Sequence, residues 1–399
     1  MVDIGGHVES GFEGVRAAFE ANFTERGDVG AAVAVYKDGH KVIDLWGGER
    51  EKGGRPYDED TLQLVFSTTK GATAICANLL AQRGQLDFDA PVAEYWPEFA
   101  AAGKQDIPVR WLMCHKAGLP YVDEDMTVDE ALDWDRVVKV LAEQAPVWEP
   151  GTKHGYHAVT YGWLVGEVVR RITGKTLGQV FAEEVAGPLG LEFTIGTPDE
   201  LHHRIAPLIQ GGGVPADPEA AALMQQFMGP DTMLGKALGG VRNGAFFSEQ
   251  GVFNRPDVWR AELPAANGIT NARSLARMYA GVIGGVEDGP SEGLLTPETI
   301  AKACEPQTSG NDLVLILESV FGLGFFLSSP MAPYGGPQGF GHTGAGGSVG
   351  FADPENGVAF GYVMNKMQLG LTGDERTTSL IRALYEAIGA PTAHVPPPA

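Results

Sequence analysis

A chain of 399 residues is long enough for one large domain or for two smaller ones that share an interface. Its 44% hydrophobic and 20% charged residues are those of an ordinary globular protein with a sizeable core. A formal net charge of −22 argues against a nucleic-acid partner, since no basic patch balances it, and against docking on anionic membranes.

In chain order, Phe12, Val15, Phe19 and Phe23 fall on one helical face and predict an amphipathic opening helix. Residues 31–36 and 41–46 are strand-like runs joined through Lys37-Asp38-Gly39-His40, whose Asp-Gly pair predicts a hairpin. Residues 62–66 form a short extended run that leads into a helix starting at Ser67, continuing through Ala72, Ile75, Leu79 and Leu80 and stopping near Gly84. From about 85 to 295 the pattern is mainly helical and cut by Pro and Gly. Within it, 109–113 and 137–141 are apolar helical turns, and 163–172 is a buried helix ended by Gly174. The segment 211–264 is rich in Gly, Pro and Met without a clean period. It reads as an irregular excursion, either a flap over a pocket or a surface loop.

Helix returns at 271–283, and near residue 315 the period changes. Residues 322–327, 348–352 and 358–364 read as strands, with 353–357 as the turn between the last two. A closing helix over 375–388 precedes a proline-rich tail. The expected class is α+β. One antiparallel sheet built from both chain ends forms a discontinuous domain (1–84 and 296–399), and 85–295 is a mainly helical insertion.

Cys76, Cys114 and Cys304 are odd in number, widely spaced and without a CxxC pair, so they read as reduced, inert thiols. The first residues have no basic start and no apolar run, and no stretch approaches the length of a membrane span. A cytoplasmic location is therefore expected, with Asn22-Phe23-Thr24 a chance sequon.

Three stretches carry chemistry. Ser67 and Lys70 lie one helical turn apart on one face, and a hydroxyl at a helix N-terminus with an amine beside it meets the needs of a serine nucleophile and its base. The alternative is an N-cap serine beside a solvated lysine. In Trp148-Glu149-Pro150-Gly151-Thr152-Lys153-His154-Gly155-Tyr156-His157-Ala158, a Pro-Gly turn presents Tyr156 at a loop-to-helix junction. That tyrosine loses its proton only where cations stabilise the phenolate; otherwise it is a half-buried seam residue. His154 and His157, at i and i+3, lack the third ligand and the glutamate of a zinc helix, so no metal is expected. The glycines of Gly339-Phe340-Gly341-His342-Thr343-Gly344-Ala345-Gly346-Gly347-Ser348 precede a strand rather than a helix. This disfavours a nucleotide cradle and fits a strand edge that offers N–H groups to a carbonyl. Gly346-Gly347-Ser348-Val349-Gly350 also matches G-x-S-x-G, but that nucleophile elbow needs strand, then helix, then a later histidine, and here a strand follows.

Together these stretches resemble the serine β-lactamase and penicillin-binding-protein superfamily, most closely its class C β-lactamase and family VIII carboxylesterase branch. Ser67-x-x-Lys70 is similar to the nucleophile motif, Tyr156-His157-Ala158 stands where Tyr-x-Asn would be, and His342-Thr343-Gly344 stands where Lys-Thr-Gly would be. Residues 111–120 and 266–277 are similar to supporting segments, and the likeness spans roughly 10–390. Two departures point away from anionic amides: Ala158 removes an amide donor, and His342 replaces a permanent cation with an imidazole that is mostly neutral at pH 7. The resemblance implies a cofactor-free serine carboxylesterase for small to medium carboxylic esters, with Ser67, Lys70 and Tyr156 catalytic. An oxyanion hole at the N–H groups of Ser67 and Ala345 is implied too, with Trp148, His157, His342 and Gly344 at the pocket. The base, Lys70 or Tyr156, stays open at this point, as does the oligomeric state. The alternatives of the same fold are an amide-directed β-lactamase, D-amino-acid amidase or D-peptidase, and an acyltransferase.

Overall fold

The computed structural model describes residues 2–211, 217–368, 370 and 373–397. Its strands are β1 (Ile4–Val8), β2 (Gly30–Lys37), β3 (His40–Gly48), β4 (Gln63–Leu64), β5 (Phe193–Thr194), β6 (Ile269–Thr270), β7 (Thr308–Asn311), β8 (Glu318–Phe321), β9 (Phe326–Leu327), β10 (Phe340–Thr343), β11 (Val349–Asp353) and β12 (Val358–Met364). Nine of them form an antiparallel sheet in the order β1-β3-β2-β12-β11-β10-β9-β8-β7, so both chain ends build it, with helices on its faces. The other three, β4-β6-β5, form a small sheet beside it.

The period of two explains the layering. On β2, Ala31, Val33 and Val35 join the core under the first and last helices, Glu13–Thr24 and Glu375–Ala387, whereas Ala32, Ala34 and Tyr36 face the opposite core. β12 repeats the pattern: Val358, Phe360, Tyr362 and Met364 lie on the first side, Ala359 and Val363 on the second. The second side carries small residues because the helix Ala272–Ile283 lies almost on the strands. A Cβ at Gly361 would come within 2.6 Å of the Ala272 carbonyl, and one at Gly350 within 2.8 Å of the Leu275 side chain. The sheet thus takes one covering helix from the middle of the chain.

The β2–β3 hairpin turns on Asp38 and Gly39, both at positive φ (51° and 82°), as a two-residue turn requires. β1 was not apparent in the sequence because Gly5 and Gly6 break its pattern. Gly5 is there because a Cβ would sit 2.6 Å from the Trp46 indole nitrogen. Of the segment 211–264, residues 212–216 lie outside the described residues. The rest carries short helices, Pro218–Met228, Met233–Gly239, Ala245–Ser248 and Pro256–Arg260, none beyond 11 residues and so too short to show a clear period.

The helix Thr69–Gln82 is buried on every side from Thr69 to Leu80, because it runs between the sheet and the helix Thr160–Thr173. It carries Lys70 into the centre of the molecule. No described helix is long and apolar enough to cross a membrane.

Candidate active site

Ser67 is held in a 3₁₀ turn, Phe66–Thr68, and the α-helix begins only at Thr69. The turn is tightened from both sides. Phe66 takes a left-handed φ of 45°, and Thr69 Oγ1 donates to the Phe66 carbonyl (2.5 Å) while accepting from Gly268 N–H (2.8 Å). The hydroxyl is therefore presented ahead of the helix rather than on its first turn. The Ser67 N–H has no hydrogen-bond partner among the described residues, and neither has that of Ala345.

Lys70 is fully buried, with Nζ 3.0 Å from Ser67 Oγ, 2.6 Å from the Ala158 carbonyl and 3.0 Å from the Ala265 carbonyl. Burial holds its pKa well below the ordinary lysine value. A neutral amine suits these three partners: two N–H bonds satisfy the two carbonyls, and the lone pair remains for the Ser67 hydroxyl. Ala158 and Ala265 act through backbone oxygens, so no side-chain pattern could have revealed them.

Tyr156 is buried, its hydroxyl hydrogen-bonds with Ser67, and its ring centroid lies 4.7 Å from Lys70 Nζ. Burial raises its pKa, the Ser67 bond lowers it and the Asp312 carboxylate raises it; the net shift is well upward, so the phenol keeps its proton. Rings fix it in place: Phe321 stacks at 6.0 Å, His342 at 5.9 Å, and His115 meets it edge-on at 5.0 Å. Its backbone N–H donates to Asp312 Oδ1 (3.0 Å), which also accepts from Val314 N (2.8 Å) and Leu315 N (2.9 Å). Asp312 lies in the loop between β7 and β8, where no period or motif marks it in the sequence.

The histidines are structural in their bonding. His157 accepts from Leu119 N–H at Nε2 (3.0 Å), and its Nδ1 meets the Gly155 carbonyl (2.6 Å), so both nitrogens are engaged. Burial lowers its pKa to about 4. His115, at a positive φ of 64°, accepts from His157 N–H at Nδ1 (3.2 Å). His154 pairs with Ser319 Oγ (3.0 Å). His342 is 2% exposed, its Nδ1 bonds the Thr343 carbonyl (2.7 Å), and burial, with Lys70 nearby, lowers its pKa to about 3. Trp148 is half-buried and stands edge-on to His157 at 5.9 Å.

Gly344 is wedged behind the nucleophile. A Cβ there would fall 2.2 Å from the Val65 carbonyl and 2.2 Å from Ser348 Oγ. Ser348, the serine of the G-x-S-x-G match, is fully buried, donates to the Val65 carbonyl (2.8 Å), lies 3.1 Å from Thr68 Oγ1 and is followed by β11. It ties the glycine-rich turn to the Ser67 turn. Ser67, Lys70, Tyr156 and the Gly344–Ala345 turn are thus brought together, Trp148 and His157 lie behind the Tyr156 loop, and His342 flanks the Tyr156 ring. The arrangement contains a nucleophile, a desolvated amine, a protonated phenol and two free N–H groups, the parts that acyl transfer through a serine ester requires.

The family model described as Beta-lactamase matches residues 16–384. The chain is 37% identical over 373 residues to the esterase/beta-lactamase LipL of Mycobacterium tuberculosis, covering 91% of this chain and 83% of that protein. A solved family VIII carboxylesterase shares the fold with a TM-score of 0.85 at 37% identity, covering 96% of this chain and 100% of that one. The structure of EstA from Arthrobacter nitroguajacolicus Rue61a gives a TM-score of 0.86 at 34% identity over 96% of this chain and 99% of that one. With a family model spanning most of its length and relatives of this similarity, the chain belongs to the beta-lactamase family.

Proposed function

We propose that this protein is a serine carboxylesterase that hydrolyses small to medium carboxylic esters through an acyl-enzyme on Ser67. The observation that carries the reading is Lys70 Nζ, fully buried and held between two carbonyls and Ser67 Oγ. Lys70 acts as the base in this reading: burial pushes its pKa down, toward the amine, while burial pushes that of Tyr156 up, toward the phenol. Ser67 Oγ attacks the ester carbonyl as its proton passes to the Lys70 lone pair, and the oxyanion is received by the N–H groups of Ser67 and Ala345. The tetrahedral intermediate collapses by breaking the bond to the alkoxide, which takes a proton from Tyr156. Lys70 returns the proton it took from Ser67 to the resulting phenolate. Water, deprotonated by the same pair, then attacks the acyl-enzyme and releases the acid and Ser67. Neutral His342, in place of a lysine, leaves no fixed cation there for a substrate carboxylate, which favours neutral esters over anionic amides.

We place this action in the cytoplasm, supported by three cysteines that are unpaired thiols, as in a reducing compartment; recovery of the protein from the exported fraction of its source cells would refute that. The catalytic reading is tested with Ser67→Ala, Lys70→Ala and Tyr156→Phe on p-nitrophenyl acetate and butyrate, each expected to lose roughly 10³-fold or more in kcat. Near-normal turnover by the Ser67 variant ends it, and fluorophosphonate labelling found on Ser348 instead of Ser67 moves the nucleophile. Faster hydrolysis of nitrocefin or a D-Ala-D-Ala peptide than of either ester would favour the amide-directed reading.

A further inference from the structure

Ala345 offers its N–H from a turn, Gly344–Gly347, that has almost no side chains with which to hold itself. Its internal bonds are Gly344 N–H to the Ser348 carbonyl (2.7 Å) and Gly347 N–H to the Gly344 carbonyl (3.1 Å), and Gly346 and Gly347 sit at φ 85° and 128°. Such a turn keeps one N–H aimed at one point only if something outside it fixes its carbonyls. On one flank the Val65 carbonyl and Ser348 Oγ press on Gly344. On the other, the Gly346 carbonyl accepts from Gln368 N–H (3.1 Å) and from Arg376 Nη2 (2.5 Å).

Arg376 lies near the start of the last helix with a side chain that is 0% exposed. All five guanidinium donors are used. Nε donates to Asp374 Oδ1 (3.0 Å), Nη1 to Asp28 Oδ1 (2.8 Å) and the Lys366 carbonyl (2.7 Å), and Nη2 to Asp374 Oδ2 (2.6 Å) and the Gly346 carbonyl. Asp28 is fixed in turn by the Tyr362 hydroxyl (2.5 Å) on β12. A buried cation between two carboxylates is seldom the most stable filling for such a site; apolar groups of the same volume often serve stability as well or better. What an apolar filling lacks is a rigid planar fork that joins the sheet, the last helix and the Gly346 carbonyl in one geometry.

We propose that Arg376 is a positioning residue for the esterase reaction: it locks the Gly344–Gly347 turn so that the Ala345 N–H points at the developing oxyanion. Arg376 itself never touches substrate. This rests on the reading of Ser67 and Ala345 as the oxyanion hole.

The test uses Arg376→Lys and Arg376→Ala in the full chain, with folding followed by near-UV circular dichroism. Wild-type ester hydrolysis and its loss in Ser67→Ala are measured first, and their failure would strike the underlying reading instead. Misaiming one oxyanion donor is expected to lower kcat by about 10- to 100-fold, with KM within about twofold, somewhat less than outright removal of a donor. Affinity for a phenylboronic acid, whose adduct on Ser67 places a hydroxyl in the same hole, should fall in proportion to kcat/KM. Guanidinium ion at millimolar levels should restore the Ala variant, and methylammonium should not. A folded variant with kcat within threefold of wild type would overturn the proposal. So would boronate binding that stays unchanged while kcat falls, or an Ala variant that guanidinium leaves unaltered. Failure of both variants to fold would make Arg376 a stability residue and overturn it as well.

Discussion

Replacing Asp312 with alanine tests how the site holds Tyr156. Asp312 is 2% exposed, and one of its oxygens accepts three buried backbone N–H groups, those of Tyr156, Val314 and Leu315. The other accepts from Ser319 Oγ at 3.2 Å. Alanine strands the three backbone donors, and each buried unsatisfied donor costs about 1–3 kcal/mol, so a loss of at least about 3 kcal/mol is expected. That is a large share of the 5–15 kcal/mol by which a folded protein is typically stable. Asparagine keeps one carbonyl oxygen for the three N–H groups and changes only the Ser319 side, so its cost is expected near 1 kcal/mol. Urea unfolding of the two variants gives the ordering directly. Because Tyr156 is anchored to this loop through its N–H, kcat on p-nitrophenyl butyrate should fall in the alanine variant before unfolding begins and change little in the asparagine one. An alanine variant destabilised by less than about 1 kcal/mol would show that water or a shifted loop satisfies these donors, and would refute the reasoning.

Acid sensitivity follows from groups buried in their neutral form. His157 at about 4 and His342 at about 3 titrate below the unfolded value of about 6.5, so the stability they contribute is full above pH 6.5 and is lost as pH falls through their folded values. The gaps correspond to about 3 and about 5 kcal/mol, and unfolding free energies measured from pH 7 to 4 should show His342→Gln with a slope shallower by one proton. Asp28 acts in the opposite sense. Burial outweighs the attraction of Arg376 and raises its carboxyl to about 6, so its contribution is full below about 3.8 and is lost as pH rises through 6; Asp28→Asn should therefore remove the decline in stability between those two values. An unchanged slope in either variant would refute the assignment concerned. Gly344→Ala forces a Cβ to 2.2 Å from both the Val65 carbonyl and Ser348 Oγ, and the displaced turn should lower kcat by roughly 10²-fold while Ser67 still labels slowly with a fluorophosphonate; unchanged kcat would sink the idea that the turn is held by contact.

Much of the fold was legible where one period ran long enough. The Asp38-Gly39 hairpin, the helix ended by Gly174, the strand over 358–364 and the closing helix all follow from local pattern and turn chemistry. The start of the Ser67 helix was not, because its 3₁₀ turn depends on Gly268, about two hundred residues away, binding Thr69. β1 and β7 escaped for a related reason: short, glycine-bearing segments become strands only when a partner edge is already present. His157 reads in sequence as a pocket residue, yet its two nitrogens are taken by backbone groups of Leu119 and Gly155.

Local pattern was enough to point to the family and to a set of candidate groups: a serine and a lysine one turn apart, a tyrosine after a Pro-Gly turn and a glycine-rich turn before a strand, in an order shared by a known superfamily. Their surroundings come from the packing of distant segments. The Lys70 amine is held well below the ordinary lysine pKa because burial desolvates it, and its Nζ reaches the Ala158 and Ala265 carbonyls. The tyrosine stays protonated because it is buried beside the Asp312 carboxylate. The Gly344–Gly347 turn is braced from outside by the Arg376 guanidinium, which donates to the Gly346 carbonyl. Reactivity at such a site is set by desolvation and by main-chain atoms brought together from distant segments, and neither leaves a trace in the order of side chains.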